Sequence, residues 1–166
     1  GSGGVGSLAV QIAKAAGAYV YTTCGDYSKD LVRKLGADRA IDYRNEDYVK
    51  IIHEETGGSG VDLVFDTVGG ETMAKSLEIL RPSGRMVSIT NTTGNLNAAY
   101  RKNITVHFLF LERESYKLDY LRTLLEREQI KPVVDSVMPL EEVAKAHEKL
   151  EKGGVRGKIV LRVAES

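Results

Sequence analysis

The sequence predicts an α/β fold: a doubly wound parallel sheet in three layers, with helices on both faces. Three observations carry the prediction. Short β-branched runs alternate with helical periodicities along most of the chain, the order that parallel crossovers require. The strand-like runs are apolar nearly throughout, as strands buried on both faces are. A glycine-rich loop leads directly into the first helix.

The elements follow in order. Val5 to Ala16 reads as a helix, with Leu8, Ile12 and Ala15 at helical spacing and Gly17 as its stop. Tyr19 to Cys24 is a β-branched and aromatic strand. Ser28 is the expected N-cap of a helix through Leu35, closed by Gly36. Ala40 to Tyr43 is a brief strand and Glu46 to Glu55 a helix, followed by a turn at Gly57, Gly58 and Gly60. Val61 to Phe65 is a strand apolar on both faces. Thr72 to Leu80 is a helix with Met73, Leu77 and Leu80 inward, and Pro82 and Gly84 lead to the strand Arg85 to Ile89. Residues 91–99 read as loop and Ile104 to Leu111 as a strand. The helix Lys117 to Arg127 carries Leu118, Leu121 and Leu125 on one face. The rhythm then changes to a tail: a strand Val133 to Val137, a helix Leu140 to Leu150, Gly153 and Gly154, and a strand Lys158 to Val163.

Composition excludes several classes. The 166 residues are enough for one domain with a real core. Lys plus Arg and Asp plus Glu number 23 each, so no basic excess points to nucleic acid. No apolar run is long enough for a membrane span, and no signal peptide is visible. The single cysteine, Cys24, excludes an internal disulfide and a multi-cysteine zinc site and fits a reducing, cytoplasmic setting. His53, His107 and His147 are scattered, so no metal ligand set is expected.

The opening Gly1-Ser2-Gly3-Gly4-Val5-Gly6 satisfies G-x-G-x-x-G and runs into a helix. Gly1 allows a tight turn, Gly3 a close approach of backbone to a pyrophosphate, and Gly6 close packing of the helix. Exposed N–H groups and the helix dipole then attract phosphates, with Gly4 and Val5 completing the loop. A glycine-rich linker would give the same letters, and only the βα units that follow favour a dinucleotide site.

Beyond the loop, Ala9-Val10-Gln11-Ile12-Ala13-Lys14-Ala15-Ala16-Gly17-Ala18, Lys34-Leu35-Gly36-Ala37-Asp38 with Ile41-Asp42-Tyr43, Val61 to Gly70, Gly84-Arg85 and Arg156-Gly157-Lys158-Ile159-Val160-Leu161 stand in order. Together they resemble the C-terminal cofactor-binding domain of the medium-chain dehydrogenases/reductases, the zinc-type alcohol dehydrogenase superfamily, in its quinone oxidoreductase-like branch. The resemblance implies a Rossmann domain over residues 1–130 and a tail, residues 131–166, that belongs to the catalytic domain in the intact family. It also implies a strand ahead of the glycine loop and an N-terminal catalytic domain, neither of which is in this sequence. A core strand contributes several buried side chains worth ~1.5–3 kcal/mol each. Against a whole-domain stability of ~5–15 kcal/mol, the chain is expected to be marginal alone.

The resemblance places Cys24 where a carboxylate would accept the ribose 2′-hydroxyl of NAD. Asp26 stands two residues on. Lys29 and Tyr43 reach the same corner, as a cation for a 2′-phosphate and an adenine-side wall. This local charge logic favours NADP, with NAD possible. Lys29 also reads as a solvated helix-start lysine and Tyr43 as a strand-end packing residue. Cys24 reads as a buried structural thiol rather than a reactive one. Thr67 and Val68 fall near the cofactor riboses, and Ser88, Ile89 and Thr90 near the nicotinamide, unless they are plain strand-end packing. Phe108 to Phe110 would end beside the ring, although core packing is the plainer reading of Phe108 and Phe110.

The implied reaction is hydride transfer from a nicotinamide to a quinone or activated double bond, a small-molecule substrate bound with the absent catalytic domain. No residue here reads as a catalytic acid or base. The alternatives are a zinc-dependent alcohol dehydrogenase with its ligands in that domain, and a non-catalytic nucleotide-binding module. The edge strand 104–111, with Ile104, Val106, Phe108 and Phe110, is expected to pair with its copy in a homodimer.

Overall fold

The structure is a computed structural model that describes residues 1–91 and 95–163. In chain order the elements are α1 (Gly6–Ala15), β1 (Tyr21–Cys24), α2 (Lys29–Lys34), β2 (Arg39–Asp42), α3 (Tyr48–Glu55), β3 (Val61–Asp66), α4 (Gly70–Glu78), β4 (Leu80–Ser88), α5 (Asn97–Arg101), β5 (Thr105–Phe108), α6 (Ser115–Glu126), β6 (Val134–Pro139), α7 (Val143–Lys152) and β7 (Lys158–Arg162). Short 3-10 turns precede α2 at Asp26–Ser28 and α7 at Leu140–Glu142. Every strand pairing in these elements is parallel, and the α/β class holds. Among the described residues the strands form three separate ladders, β1-β2, β3-β4-β5 and β6-β7, where one continuous sheet was expected.

The chain divides into two compact units: Gly1–Asn45 with Glu114–Ser166, and Glu46–Arg113. In the first unit, Val10, Val20, Cys24, Val32, Ala37 and Ala40 form the core, with Ala13 and Leu35 against it. The stripe of α1 that is buried is Ser7, Val10 and Gln11, not the expected Leu8, Ile12 and Ala15. Two of those three are polar because they meet backbone. The Gln11 side-chain amide donates to Ser7 O at 2.8 Å and to Lys131 O at 2.9 Å, and its Oε1 accepts from Lys131 N at 2.8 Å. Ile12 is left exposed. α2 begins where expected but by another device. Ser28 has αR backbone, entered through the 3-10 turn, and makes no side-chain cap bond. Gly36, at φ +106°, ends the helix.

In the second unit Met73, Leu77, Leu80, Met86 and Ala99 pack between α4, β4 and α5. Burying four such large side chains supplies roughly 1.5–3 kcal/mol each. Asp47, which the periodicity did not mark, caps α3 by accepting from Val49 N and Lys50 N at 3.0 and 3.3 Å. β3 departs from expectation: Leu63 and Phe65 are 57% and 40% exposed, so that face is uncovered. Val64 joins the core from the opposite face, and Val61 joins it because the register shifts between Val61 and Leu63. The expected strand 104–111 is shorter, Thr105–Phe108, and Leu109 to Leu111 leave the ladder exposed. Of the expected loop 91–99, residues 92–94 lie outside the described residues, and its end is the start of α5. On α6 the inward residue is Leu124, while Leu118 and Leu125 are exposed.

Candidate functional site

The glycine loop lies in the first unit and feeds α1 without a side-chain cap. Ser7 N donates to Gly3 O at 2.9 Å and Ala9 N to Val5 O at 3.0 Å, which starts the helix inside the loop. No acidic residue occupies the first turn, so nothing within the helix offsets its positive end. The glycines differ in what surrounds them. A Cβ at Gly6 would stand 2.9 Å from Gly1 Cα, and one at Gly1 would collide with Thr22 of β1. One at Gly3 would meet no atom within 4 Å. The loop is thus closed against its own chain at Gly1 and Gly6 and open at Gly3, the shape a backbone-to-phosphate approach needs.

The tail reaches this loop. Gly157 forms an isolated parallel bridge with Gly3, and its N–H donates to Ser2 O at 2.8 Å. The Lys158 side chain then crosses Gly4, so closely that a Cβ there would stand 2.5 Å from Lys158 Cε and 2.8 Å from Nζ. A lysine ammonium therefore sits over the loop. No local pattern in the sequence links positions 4 and 158, so nothing there marks Lys158 for this place.

The second cluster of the first unit is the end of β1 and β2, where Cys24 faces Asp42 across the ladder. Cys24 is 2% exposed, and burial pushes its thiol up, with Lys29 and Arg33 acting in the opposite direction. Lys29 is half-buried and lies 3.4 Å from Asp26 Oδ1. Tyr43 N donates to Cys24 O at 3.3 Å, and the Tyr43 ring is exposed with the Arg44 guanidinium over it at 5.7 Å. Tyr43 beside it holds the Arg44 guanidinium more firmly protonated. Cys24, Lys29 and Tyr43 are thus brought together, with Arg44 added. The buried Asp42 is a carboxylate one strand over from the expected position. It accepts from Arg44 N at 3.2 Å and Asn45 Nδ2 at 2.6 Å, so it shapes the turn that presents Tyr43 and Arg44.

The second unit holds the other expected residues at the ends of β3 and β4. Thr67 and Val68 follow β3, and Val68 is 67% exposed. Ser88 ends β4 fully buried, and Ile89 N donates to Asp66 O at 3.2 Å. Between them stands Asp66, 4% exposed, which sequence analysis passed over. Its Oδ1 accepts from Val68 N at 3.1 Å and Gly69 N at 3.0 Å. Its Oδ2 accepts from Ser88 Oγ at 2.8 Å and Thr90 Oγ1 at 3.4 Å. Gly69 has φ +78°, and a Cβ on it would stand 2.5 Å from Thr90 Oγ1. A strand-ending Asp before Gly-Gly was the available signal. Phe108 and Phe110 are 44% and 90% exposed, which overturns core packing.

A cavity of about 460 Å³ opens elsewhere, lined by Lys14, Lys34, Glu128 and Lys131 among others. It sits at the C-terminal end of α1, roughly 13 Å along the helix from the loop at ~1.5 Å per residue. Helix C-termini carry partial negative charge, which these lysines offset. Among the described residues no group of three or more His, Cys, Asp or Glu could hold a metal ion, and no helix is long and apolar enough to cross a membrane.

A family profile described as zinc-binding dehydrogenase matches residues 35–161. The chain is 30% identical to the NAD(P)H oxidoreductase RTN4IP1, mitochondrial, of Danio rerio, over 99% of this chain and 48% of that protein. It resembles the quinone oxidoreductase structure from Coxiella burnetii with a TM-score of 0.88 and 33% identity, covering 98% of this chain and 50% of that one. Against the Escherichia coli quinone oxidoreductase complexed with NADPH the TM-score is 0.83 at 33% identity, over 98% and 55% of the two chains. The chain spans about half the length of the relatives it matches.

Proposed function

Because this chain belongs to the zinc-binding dehydrogenase family, we propose that it is the cofactor-binding part of an NADP(H)-dependent oxidoreductase that passes hydride to a quinone or activated double bond. The observation that carries the proposal is the glycine loop, open at Gly3 and crossed by Lys158. That loop suits the diphosphate of a dinucleotide, gathered by Gly1, Gly3, Gly4, Val5 and Gly6 with the Lys158 ammonium. Lys29, Tyr43 and Arg44 around Cys24 suit a ribose 2′-phosphate, and the one nearby buried carboxylate, Asp42, has both oxygens engaged. Thr67, Val68 and Ile89 stand at the strand ends where ligands of parallel sheets bind, with Ser88 behind them. The bound nicotinamide supplies the hydride, while this chain binds and orients it. The zinc of the family's description finds no ligand set among the described residues, and no step is assigned to it. A reducing compartment suits the lone buried thiol, in the cytoplasm or, as RTN4IP1 is described, the mitochondrion.

The apolar edge at β5 suits a second copy of the chain. Among the described residues β5 pairs only with β4, and Phe108 to Leu111 are exposed at its end, an edge that invites strand addition.

Calorimetric titration of the chain with NADPH and NADH tests the cofactor reading. NADPH is expected to bind about tenfold tighter, ~1.4 kcal/mol. Lys29→Gln with Arg44→Gln should erase that preference. Tighter NADH would overturn the NADP assignment. A folded chain that binds neither would be no cofactor domain.

A further inference from the structure

We infer that Asp66 is a positioning residue for the nicotinamide half of the cofactor, acting through Thr67, Val68 and Ile89 rather than by touching the ligand. The inference rests on the cofactor reading above and assigns a role to a residue that the reading leaves unused.

The geometry separates this role from ordinary helix capping. Asp66 does serve the entry to α4 through one oxygen, which takes the Val68 and Gly69 N–H groups. An Asn or Ser would do that without burying a charge. The second oxygen faces the neighbouring strand and takes the Ser88 hydroxyl, with Thr90 Oγ1 at the edge of hydrogen-bond range. Ser88 and Thr90 are themselves 3.0 Å apart, and Thr90 N lies 3.3 Å from Ser88 Oγ. One carboxylate therefore ties the end of β3, the turn after it and the segment after β4. The backbone adds Ile89 N to Asp66 O, in register with the Asp66–Ser88 pair of the ladder. Gly69 locks the assembly, since its positive φ and the nearby Thr90 hydroxyl leave no room for a Cβ.

The exposed part of this assembly is what a ligand would meet. Val68 is 67% exposed while Asp66 and Ser88 are buried beneath it. Four donors arranged around one buried anion fix their groups more tightly than neutral bonds would, because charge-assisted bonds are stronger. A ligand meeting a pre-set rim loses less ordering entropy on binding. Asp66 thus works on the half of the cofactor that lies at these strand ends and not on the adenosine phosphate end.

The test compares two ligands on the full chain: NADPH, and adenosine 2′,5′-bisphosphate, which lacks the nicotinamide half. In Asp66→Ala, NADPH affinity should fall at least about tenfold, while the bisphosphate stays within about twofold. Amide exchange at Val68 and Gly69 should accelerate in the same variant. Asp66→Asn is expected to restore NADPH to within about threefold, since its oxygen keeps both amide bonds and its NH₂ can donate to Ser88 Oγ. Should the Ala variant not fold, Ser88→Ala serves in its place and should weaken NADPH alone. Equal loss for both ligands would show a merely structural role and overturn the inference, as would unchanged NADPH binding in the variants. A folded wild-type chain that binds no NADPH would overturn the cofactor reading itself, and this inference with it.

Discussion

At Gly157 a Cβ would run into the Val133 carbonyl, and the residue holds φ +78°. Gly157→Ala therefore combines a clash with left-handed backbone strain, and is expected to cost roughly 1–3 kcal/mol or more. A urea melt reads that cost, and an unchanged midpoint would contradict the clash. Asp135 gives a pH test. Its carboxylate takes Lys149 and the Arg156 N–H, and the Lys149 hydrogen bond first, then Arg156, hold it below the usual carboxylate range. A depressed folded value means the contribution is present above the unfolded pKa of about 3.9 and lost as pH falls through the folded value. Wild type should accordingly exceed Asp135→Asn in urea midpoint at pH 7, and the gap should narrow only as pH falls below about 3.9. A gap that persists in acid would show that the difference is not electrostatic. The sequence showed the glycines of the loop plainly, because they lie within one local motif, while Lys29 and Tyr43 were placed near Cys24 by resemblance alone. It did not show Lys158 over Gly4 or Ser88 under Asp66, because those meetings depend on strands far apart in the chain.

Among the elements, α1 shows why periodicity found the helix but not its buried face. Apolar spacing marked Leu8 and Ile12, yet Gln11 faces inward because its amide pairs with both backbone groups of Lys131. A buried, fully bonded amide is cheap to keep and costly to break. Gln11→Ala should lose roughly 1–3 kcal/mol by leaving Lys131 unpaired. Gln11→Glu should do worse, since it sets a carboxylate against two carbonyl oxygens. Chemical denaturation ranks the two, and the reverse order would dismiss the latch. The boundaries of α3, α4 and β6 were readable to within a few residues from capping and turn residues. The shortening of the strand to Thr105–Phe108 was not, because where a ladder stops depends on its partner rather than on its own apolar run.

For the whole molecule, the expected α/β class and parallel pairing were legible, while the split into three ladders was not. Apolar residues announce burial but not what does the burying, so Leu63 and Phe65 read as core and stand exposed. The same logic gives the assembly test. Light scattering on the chain should report a dimer, and Phe108→Lys with Phe110→Asp, both at exposed positions, should yield a folded monomer. A monodisperse wild-type monomer would rule out pairing through β5.

The latch between Gln11 and Lys131 closes a span of 120 residues, and the unit it completes takes its two pieces from either side of Glu46–Arg113. That sets an order of events on the ribosome. The contiguous unit has every strand it needs once its last residue clears the exit tunnel. The glycine loop must wait until Gly157 and Lys158 have been translated. At about 5–20 residues per second, the interval is several seconds. During it α1 is without its clamp, and the glycine loop is without the segment that bridges it.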